Sequence, residues 1–235
     1  MDINYIIENG KELVDEMKRD NHHRDKSWEH CYSVFEKYKG KEPDDYEKDH
    51  LCLHLAFYLA SFGMYRGSSF LFNKDYKVHS DAVNEIFKLE YKSLWAVKCK
   101  DYSDSLLAEL TSLTGSLRKI YEKKRKSVKG RETVKSDISD ILITKILLGT
   151  LGCVPAFDEY FKKCARKAFN QKFAARIEEN VKSIAKYYDD YNDDFEKLRT
   201  AIFNETSIDY PQMRILDMCF CTTGYKINKN KGGAK

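Results

Sequence analysis

The chain has 235 residues and a mass of 27.5 kDa, and 33% of its residues are charged. Its formal net charge of +4 results from 41 basic and 37 acidic residues, so only clustered positive charge could indicate a nucleic-acid partner. No apolar run approaches the roughly 20 residues of a membrane span. The amino terminus lacks a basic segment followed by an apolar core, so we expect neither a membrane protein nor a secretory signal.

Cysteine, proline and glycine usage sets further bounds. Seven cysteines without paired CxxC spacing indicate reduced thiols, which are typical of a cytoplasmic protein. Three prolines and eleven glycines, without a Gly/Ser-rich linker, favour one continuous domain. We predict a single all-helical domain over residues 1–225 and a disordered polar tail over residues 226–235. Nothing in the composition predicts a cofactor.

Apolar residues at helical spacing predict three helices at the start of the chain, over residues 2–20, 28–39 and about 44–62. In the third helix His50 and His54 lie one turn apart, as metal ligands on a helix often do, but no HExxH glutamate lies between them. We therefore predict that His54 is a hydrogen-bonded core or pocket residue and that His50 faces solvent. No metal ligands are predicted.

The segment from Ser61 to Phe70 is the first candidate binding site. Two glycines give its backbone freedom, Ser68 and Ser69 offer hydroxyl groups, and Arg66 offers a fixed fork of donors. Free amides beside such a fork could hold a phosphate or a carboxylate. A buried turn between two helices would explain the same residues without a ligand.

Two further helices are predicted over residues 80–99 and 101–126. The densest positive run in the chain extends from the end of the second of these helices to Arg131. Such a run could bind a nucleic-acid backbone, where affinity comes mostly from neutralised phosphates. Cations at a helix C-terminus are also favourable because of the helix dipole. The candidate phosphate contacts in this run are Lys123, Lys124, Arg125 and Lys126.

The most apolar stretch predicts a central buried helix over residues 138–151, with a cap at Ser136 or Asp137. Pro155 suits the first turn of the next helix, which would put Asp158 in or beside that turn. Free amides and the helix dipole favour an ionised carboxylate there, so we predict that Asp158 faces a cleft.

The remainder of the chain predicts helices over residues 171–188, 195–203 and from about Tyr210 onwards. Four aspartates in the run Asp189–Asp194 lack the glycine and glutamate of an EF-hand loop, so we predict a solvated turn or helix cap. Asp217, among apolar residues, is predicted to pair with a buried donor. Together the pattern predicts an all-α fold of about nine or ten helices around the 138–151 helix.

The segment Ile141–Lys167 resembles the helix-hairpin-helix DNA glycosylase superfamily where its hairpin leads into the next helix. Thr144-Lys145 and Leu148-Gly149 resemble the second hairpin helix, and Val154–Lys163 resembles the segment that carries the family aspartate. The hairpin glycines before Thr144 are missing, and no lysine nucleophile of the family can be placed. The resemblance implies that Asp158 activates a water or stabilises a developing sugar cation, and Lys145 joins the nucleic-acid-binding candidates. As a whole, the chain resembles uncharacterised bacterial helical proteins.

Two functions stay open. The first is a nucleic-acid-associated protein, either a divergent glycosylase-like enzyme or a binder, with Asp158 as its catalytic candidate. The second is a non-catalytic helical interaction protein of a bacterial accessory or defence system, in which Asp158 only caps a helix or forms hydrogen bonds in the core. Retention on heparin or DNA with a steep salt dependence would favour the first function.

Overall fold

The computed structural model describes residues 1–133, 137–170 and 172–232. Within these ranges it contains ten α-helices, four short 3-10 helices and no strand, so the predicted all-α fold is confirmed. None of these helices is long and apolar enough to cross a bilayer. The α-helices are α1 (Ile3–Arg19), α2 (Lys26–Glu36), α3 (Asp45–Ser61), α4 (Ser80–Ile86), α5 (Asp104–Lys126), α6 (Asp140–Thr150), α7 (Glu159–Phe169), α8 (Ile177–Asp190), α9 (Asn192–Thr206) and α10 (Gln212–Gly232).

Side-chain caps determine where several of these helices begin. The Asp2 carboxylate accepts a hydrogen bond from the second amide of α1 at 3.0 Å, and Asp44 forms a capping box with Glu47 before α3. The cap of α6 is Ser139, whose hydroxyl accepts from the Leu142 amide at 3.3 Å. The predicted cap at Asp137 is therefore wrong, and Ser136 lies outside the described residues.

The predicted helix over residues 80–99 is wrong beyond its first two turns. α4 ends at Ile86, and two 3-10 helices follow, Leu89–Leu94 and Cys99–Asp101. The rings of Phe87 and Trp95 lie 5.4 Å apart. In a continuous helix eight residues would separate them by about 12 Å along the axis. The chain therefore folds back on itself here and brings the half-buried Phe87 ring against the buried Trp95 ring, and this packing outweighs the local helical pattern.

Residue contacts group the chain into two units. The first unit contains Met1–His23, Ala96–Tyr102 and the chain from Gly152 onwards, and the second contains Arg24–Trp95 and Ser103–Leu151. α1 and α7 to α10 belong to the first unit, and α2 to α6 belong to the second. The predicted single domain stays a prediction.

The second unit is built around α6. Every residue of this helix from Leu142 to Thr150 is buried, as the apolar run predicted. The indole of Trp28 donates to the Leu148 carbonyl at 3.0 Å, which ties α2 to α6. Gly149 lets the ring of Tyr58 approach so closely that an added Cβ would lie 2.4 Å from a ring carbon. Glycine is therefore required for the packing of α3 on α6.

In the first unit α10 packs against both α1 and α7. An added Cβ at Gly224 would lie 1.9 Å from the main-chain oxygen of Tyr160, and one at Gly10 would lie 2.4 Å from Cys219 Sγ. α10 continues to Gly232, so residues 226–232 are helical where the sequence predicts a disordered tail, and residues 233–235 lie outside the described ranges. Ile227 is buried in this extension, which anchors the polar end of the helix to the core.

Candidate nucleic-acid interface

The turn that follows α3 exposes Arg66. Gly63 and Gly67 have positive φ angles of 77° and 59°, a region that residues with a Cβ rarely adopt, so the turn depends on glycine. The Arg66 side chain folds back over Gly63, where an added Cβ would lie 2.8 Å from its Nε atom. Within the described part of the chain Arg66 is exposed and has no ion-pair partner. Its guanidinium is therefore accessible to an external anion.

Two hydrogen bonds join the segment after α3 to the loop after α5. The guanidinium of Arg131 donates to the main-chain carbonyl of Ser68, and Lys74 Nζ donates to Ser127 Oγ at 2.9 Å. Two stretches of chain that the sequence predicts as separate candidates thus lie side by side. We call the combined region the basic surface; it comprises Arg66, Ser68, Lys74, Ser127, Lys129 and Arg131.

Three of the residues predicted to contact nucleic acid form contacts within the fold. Arg125 is buried and donates to the Asp137 carbonyl at 3.4 Å. Lys145 is also buried, and its Nζ donates to the Phe62 carbonyl at the end of α3 at 2.8 Å. The hydroxyl of Ser69 caps the 3-10 helix Phe70–Asn73. Arg125 and Lys145 therefore stabilise the second unit and do not reach the surface.

The other predicted lysines at the end of α5 are exposed or half-buried but partly neutralised. Lys124 forms an ion pair with Asp81 at 2.7 Å, and Lys126 forms one with Glu122 at 2.6 Å. Lys123 is exposed and lines a shallow hollow that also contains Asp81. The positive charge of this run is consequently smaller than its sequence indicates, and most of the charge available to a ligand lies in the loop beyond it.

A buried histidine holds the residue before Arg66 in place through hydrogen bonds. His79 Nε2 lies 2.8 Å from the Tyr65 hydroxyl, and His79 Nδ1 lies 2.7 Å from the Tyr121 hydroxyl. Burial lowers the pKa of His79 to about 3 and raises the pKa of both tyrosines. The three side chains are therefore neutral at physiological pH, and they fix Tyr65, the residue before Arg66, to α5.

Asp158, the candidate catalytic residue, caps α7. The helix begins at Glu159, so Pro155 does not open it as predicted but lies in the buried connection before it. Asp158 Oδ1 accepts from the Phe161 amide at 2.9 Å, and the side chain is half-buried. Asp158 thereby satisfies one of the free first-turn amides of α7. The prediction that Asp158 faces a cleft stays a prediction.

Two further groups from α10 lie beside Asp158. The thiol of Cys221 lies 3.7 Å from one oxygen of Asp158 and 3.7 Å from one oxygen of Asp217. Asp217 is buried, accepts from the Ala156 amide at 2.9 Å and pairs with Arg214 at 2.7 Å. Burial raises the pKa of Asp217 to about 6 even though Arg214 opposes the rise. The predicted pairing of Asp217 with a buried donor is thus present in the fold.

The acidic run and the histidine pair that the sequence analysis considered as metal ligands belong neither to the Arg66 turn nor to the cap at Asp158. The run Asp189–Asp194 spans the end of α8 and the start of α9. On α3, burial lowers the pKa of His54, and the neighbouring charge of His50 lowers it further. In the described ranges no group of three or more histidine, cysteine, aspartate or glutamate side chains could hold a metal ion.

No protein-family model, curated protein or solved structure matches this chain.

Proposed function

We propose that this protein binds nucleic acid through the sugar-phosphate backbone at the basic surface. The hydrogen bond from Arg131 to Ser68 carries the proposal, because it joins the exposed Arg66 turn to the basic loop after α5. Arginine, lysine and serine side chains are the groups that most often bind phosphate oxygens in nucleic-acid complexes. Such contacts position a nucleic acid without selecting its base sequence. We therefore propose that binding depends only weakly on the base sequence of the nucleic acid.

The salt dependence of DNA binding tests this proposal. We expect the affinity for a labelled DNA duplex to fall linearly with salt on a double-logarithmic plot, with a slope of about −0.9 for each phosphate contacted. Arg66→Ala should weaken binding to all sequences alike and make the slope shallower by about one. Arg131→Ala should have a larger effect, because it removes a cation and also the link that holds the Arg66 turn in place.

Lys41→Ala is the matched control, since it removes an exposed positive charge outside the two joined segments. It should leave both the affinity and the slope unchanged. Absence of DNA retention at about 50 mM salt would contradict the proposal and leave the non-catalytic interaction protein as the better hypothesis. An Arg66→Ala protein that unfolds, as judged by circular dichroism, would make Arg66 a structural anchor and end its assignment to the site.

A second candidate function is glycosylase-like chemistry at Asp158. The proximity of Asp158 to Asp217 supports it, because Cys221 Sγ lies 3.7 Å from one oxygen of each side chain, and burial together with the charge of Asp158 raises the pKa of Asp217 to about 6. Neighbouring carboxyl groups that differ in burial are typical of acid–base sites. Under this proposal ionised Asp158 activates a water or stabilises a sugar cation.

We also propose a cytoplasmic location. All seven cysteines are free thiols, and six of them are buried. Free thiols persist in reducing compartments, whereas oxidising compartments favour disulfides. This location is compatible with a nucleic-acid partner.

A further inference from the structure

Two histidine rings on α3 direct their Nε2 atoms at each other. His50 is exposed and His54 is half-buried, and the two Nε2 atoms lie 3.2 Å apart. The rings are nearly perpendicular, with centroids 4.5 Å apart. This spacing fits a hydrogen bond in which one nitrogen donates to the other, and that bond requires the two nitrogens to be in different protonation forms.

The same spacing fits two ligands of one metal ion. An imidazole nitrogen binds zinc at about 2.0–2.1 Å, so two such ligands at a tetrahedral angle lie about 3.3 Å apart. The observed separation of 3.2 Å therefore places both Nε2 atoms close to the positions that a shared ion would require. Histidines four residues apart on a helix point to the same side of it, which explains why α3 preorganises the pair.

We propose that His50 and His54 bind one divalent transition-metal ion of the class that prefers imidazole ligands, such as Ni²⁺ or Zn²⁺. No third ligand group exists among the described residues, so water fills the remaining coordination positions. The site is thus open and accessible from solvent, unlike a closed structural zinc site. It is independent of the basic surface and of Asp158.

The surroundings of the pair limit its affinity. His30 on α2 and Lys37, which caps the end of α2, are close enough to act electrostatically on His54. His30 is exposed and Lys37 is likewise exposed, so solvent and salt screen their repulsion of an added cation. The metal also binds the folded helix in preference to the unfolded chain, because only the helix holds the two rings together. Ion binding is therefore expected to stabilise the protein.

Calorimetric titration of the untagged protein with Ni²⁺ alone tests the proposal. Ni²⁺ is preferred to Zn²⁺ as a probe because zinc also binds thiolates readily. We expect one binding event that His50→Ala and His54→Ala each weaken by at least about tenfold, since even the loss of a residue that only supports a ligand costs 10–100-fold in affinity. His22→Ala, which removes an exposed histidine from the loop before α2, should bind like the wild type.

A thermal melt with and without Ni²⁺ supplies a second readout. The wild type should melt at a higher temperature with the ion, and His50→Ala should lose this increase while keeping the melting temperature of the ion-free protein. Because His50 is exposed, His50→Ala should fold normally, so it tests the proposal even if His54→Ala destabilises the fold. Unchanged Ni²⁺ affinity in His50→Ala, or an equal loss in His22→Ala, would overturn the proposal.

Discussion

Asp158 is the residue at which the helix-capping role and the proposed catalytic role can be separated by one substitution. Asparagine caps a helix about as well as aspartate, so Asp158→Asn should keep the bond to the Phe161 amide and leave the melting temperature nearly unchanged. It removes the negative charge that the proposed chemistry needs. We therefore expect loss of base excision from damaged DNA at constant stability, measured by strand cleavage at abasic products and by circular dichroism.

Asp158→Ala is the companion variant, because it removes the cap as well as the charge. It should lower the free energy of unfolding by about 1 kcal/mol. A wild-type protein without base-excision activity, or an asparagine variant with full activity, would restrict Asp158 to its capping role.

His79 makes stability depend on pH. The unfolded chain binds a proton at this histidine near its ordinary pKa of 6.5, whereas in the folded protein burial lowers the pKa to about 3. Between these values the unfolded state binds more protons, so the free energy of unfolding decreases as the pH falls. One pKa unit corresponds to about 1.4 kcal/mol, so His79 should remove roughly 2–3 kcal/mol between pH 6.5 and pH 4.5.

Urea unfolding at several pH values measures this effect. His79→Gln can still form hydrogen bonds with Tyr65 and Tyr121 but cannot take up a proton in this range, so its stability should fall less steeply with acid. His22→Gln, at an exposed position, should keep the wild-type profile. If the free energy of unfolding depended on pH equally in the wild type and in His79→Gln, His79 would not be the cause of the loss of stability in acid.

Some of the residue roles could have been read from the sequence, and others could not. Arg125 lies four residues after buried Tyr121 and eight after buried Leu117, so it continues the inward face of α5. Lys145 lies in a helix that is apolar on all sides, where any side chain must be buried. The helical pattern of the sequence thus predicts burial at both positions. Nothing local indicates that Arg131 reaches Ser68, because a contact between distant segments leaves no periodicity.

Glycine at position 224 determines how closely α7 and α10 can pack. An alanine Cβ there would lie 1.9 Å from a main-chain oxygen of α7, which cannot move aside as a flexible side chain can. We expect Gly224→Ala to lower the free energy of unfolding by at least about 2 kcal/mol. Urea denaturation followed by circular dichroism measures the loss.

Gly115→Ala provides the opposite case in α5, where an added Cβ would meet nothing within 4 Å. Alanine is there expected to stabilise the protein by about 0.5–1 kcal/mol, because it restricts the unfolded chain more than glycine does. If both alanine variants had the same effect, helix propensity and not the packing distance would determine the cost at Gly224.

Among the helices, local chemistry predicts those whose ends carry their own signals. α1, α3 and α5 begin beside Asp2, Asp44 and Ser103, all of which accept a hydrogen bond from a first-turn amide. The predicted helix over residues 80–99 fails because the packing of the Phe87 ring on the Trp95 ring outweighs its periodicity. Its sequence has no proline or glycine to mark the break. Helix propensity alone therefore cannot predict that the helix ends at Ile86.

At the scale of the whole chain, the basic surface shows what a single sequence leaves open. The sequence predicts each of its two segments as a candidate, since clustered cations and glycine-rich turns are local features. Their adjacency and the burial of Arg125 depend on how α5 packs in the second unit. Clustered cations thus favour the hypothesis of an anionic ligand, but only the fold shows which of these cations are exposed.

The path of the chain leads to a prediction about cooperativity. It passes from one unit to the other four times, after His23, Trp95, Tyr102 and Leu151. If the second unit unfolded alone, its two segments would become disordered loops whose ends the folded first unit still holds, and closing such loops costs free energy. We therefore expect the single cooperative transition that the predicted single domain requires.

Two probes can test this expectation because both tryptophans, Trp28 and Trp95, belong to the second unit. Tryptophan fluorescence therefore reports on the second unit, whereas far-UV circular dichroism reports on the helices of both. In urea the two signals should give the same midpoint and the same slope, since an all-or-none transition changes every probe together. A fluorescence midpoint that differs from the circular dichroism midpoint would mean that the units unfold separately, and the chain would then consist of two domains.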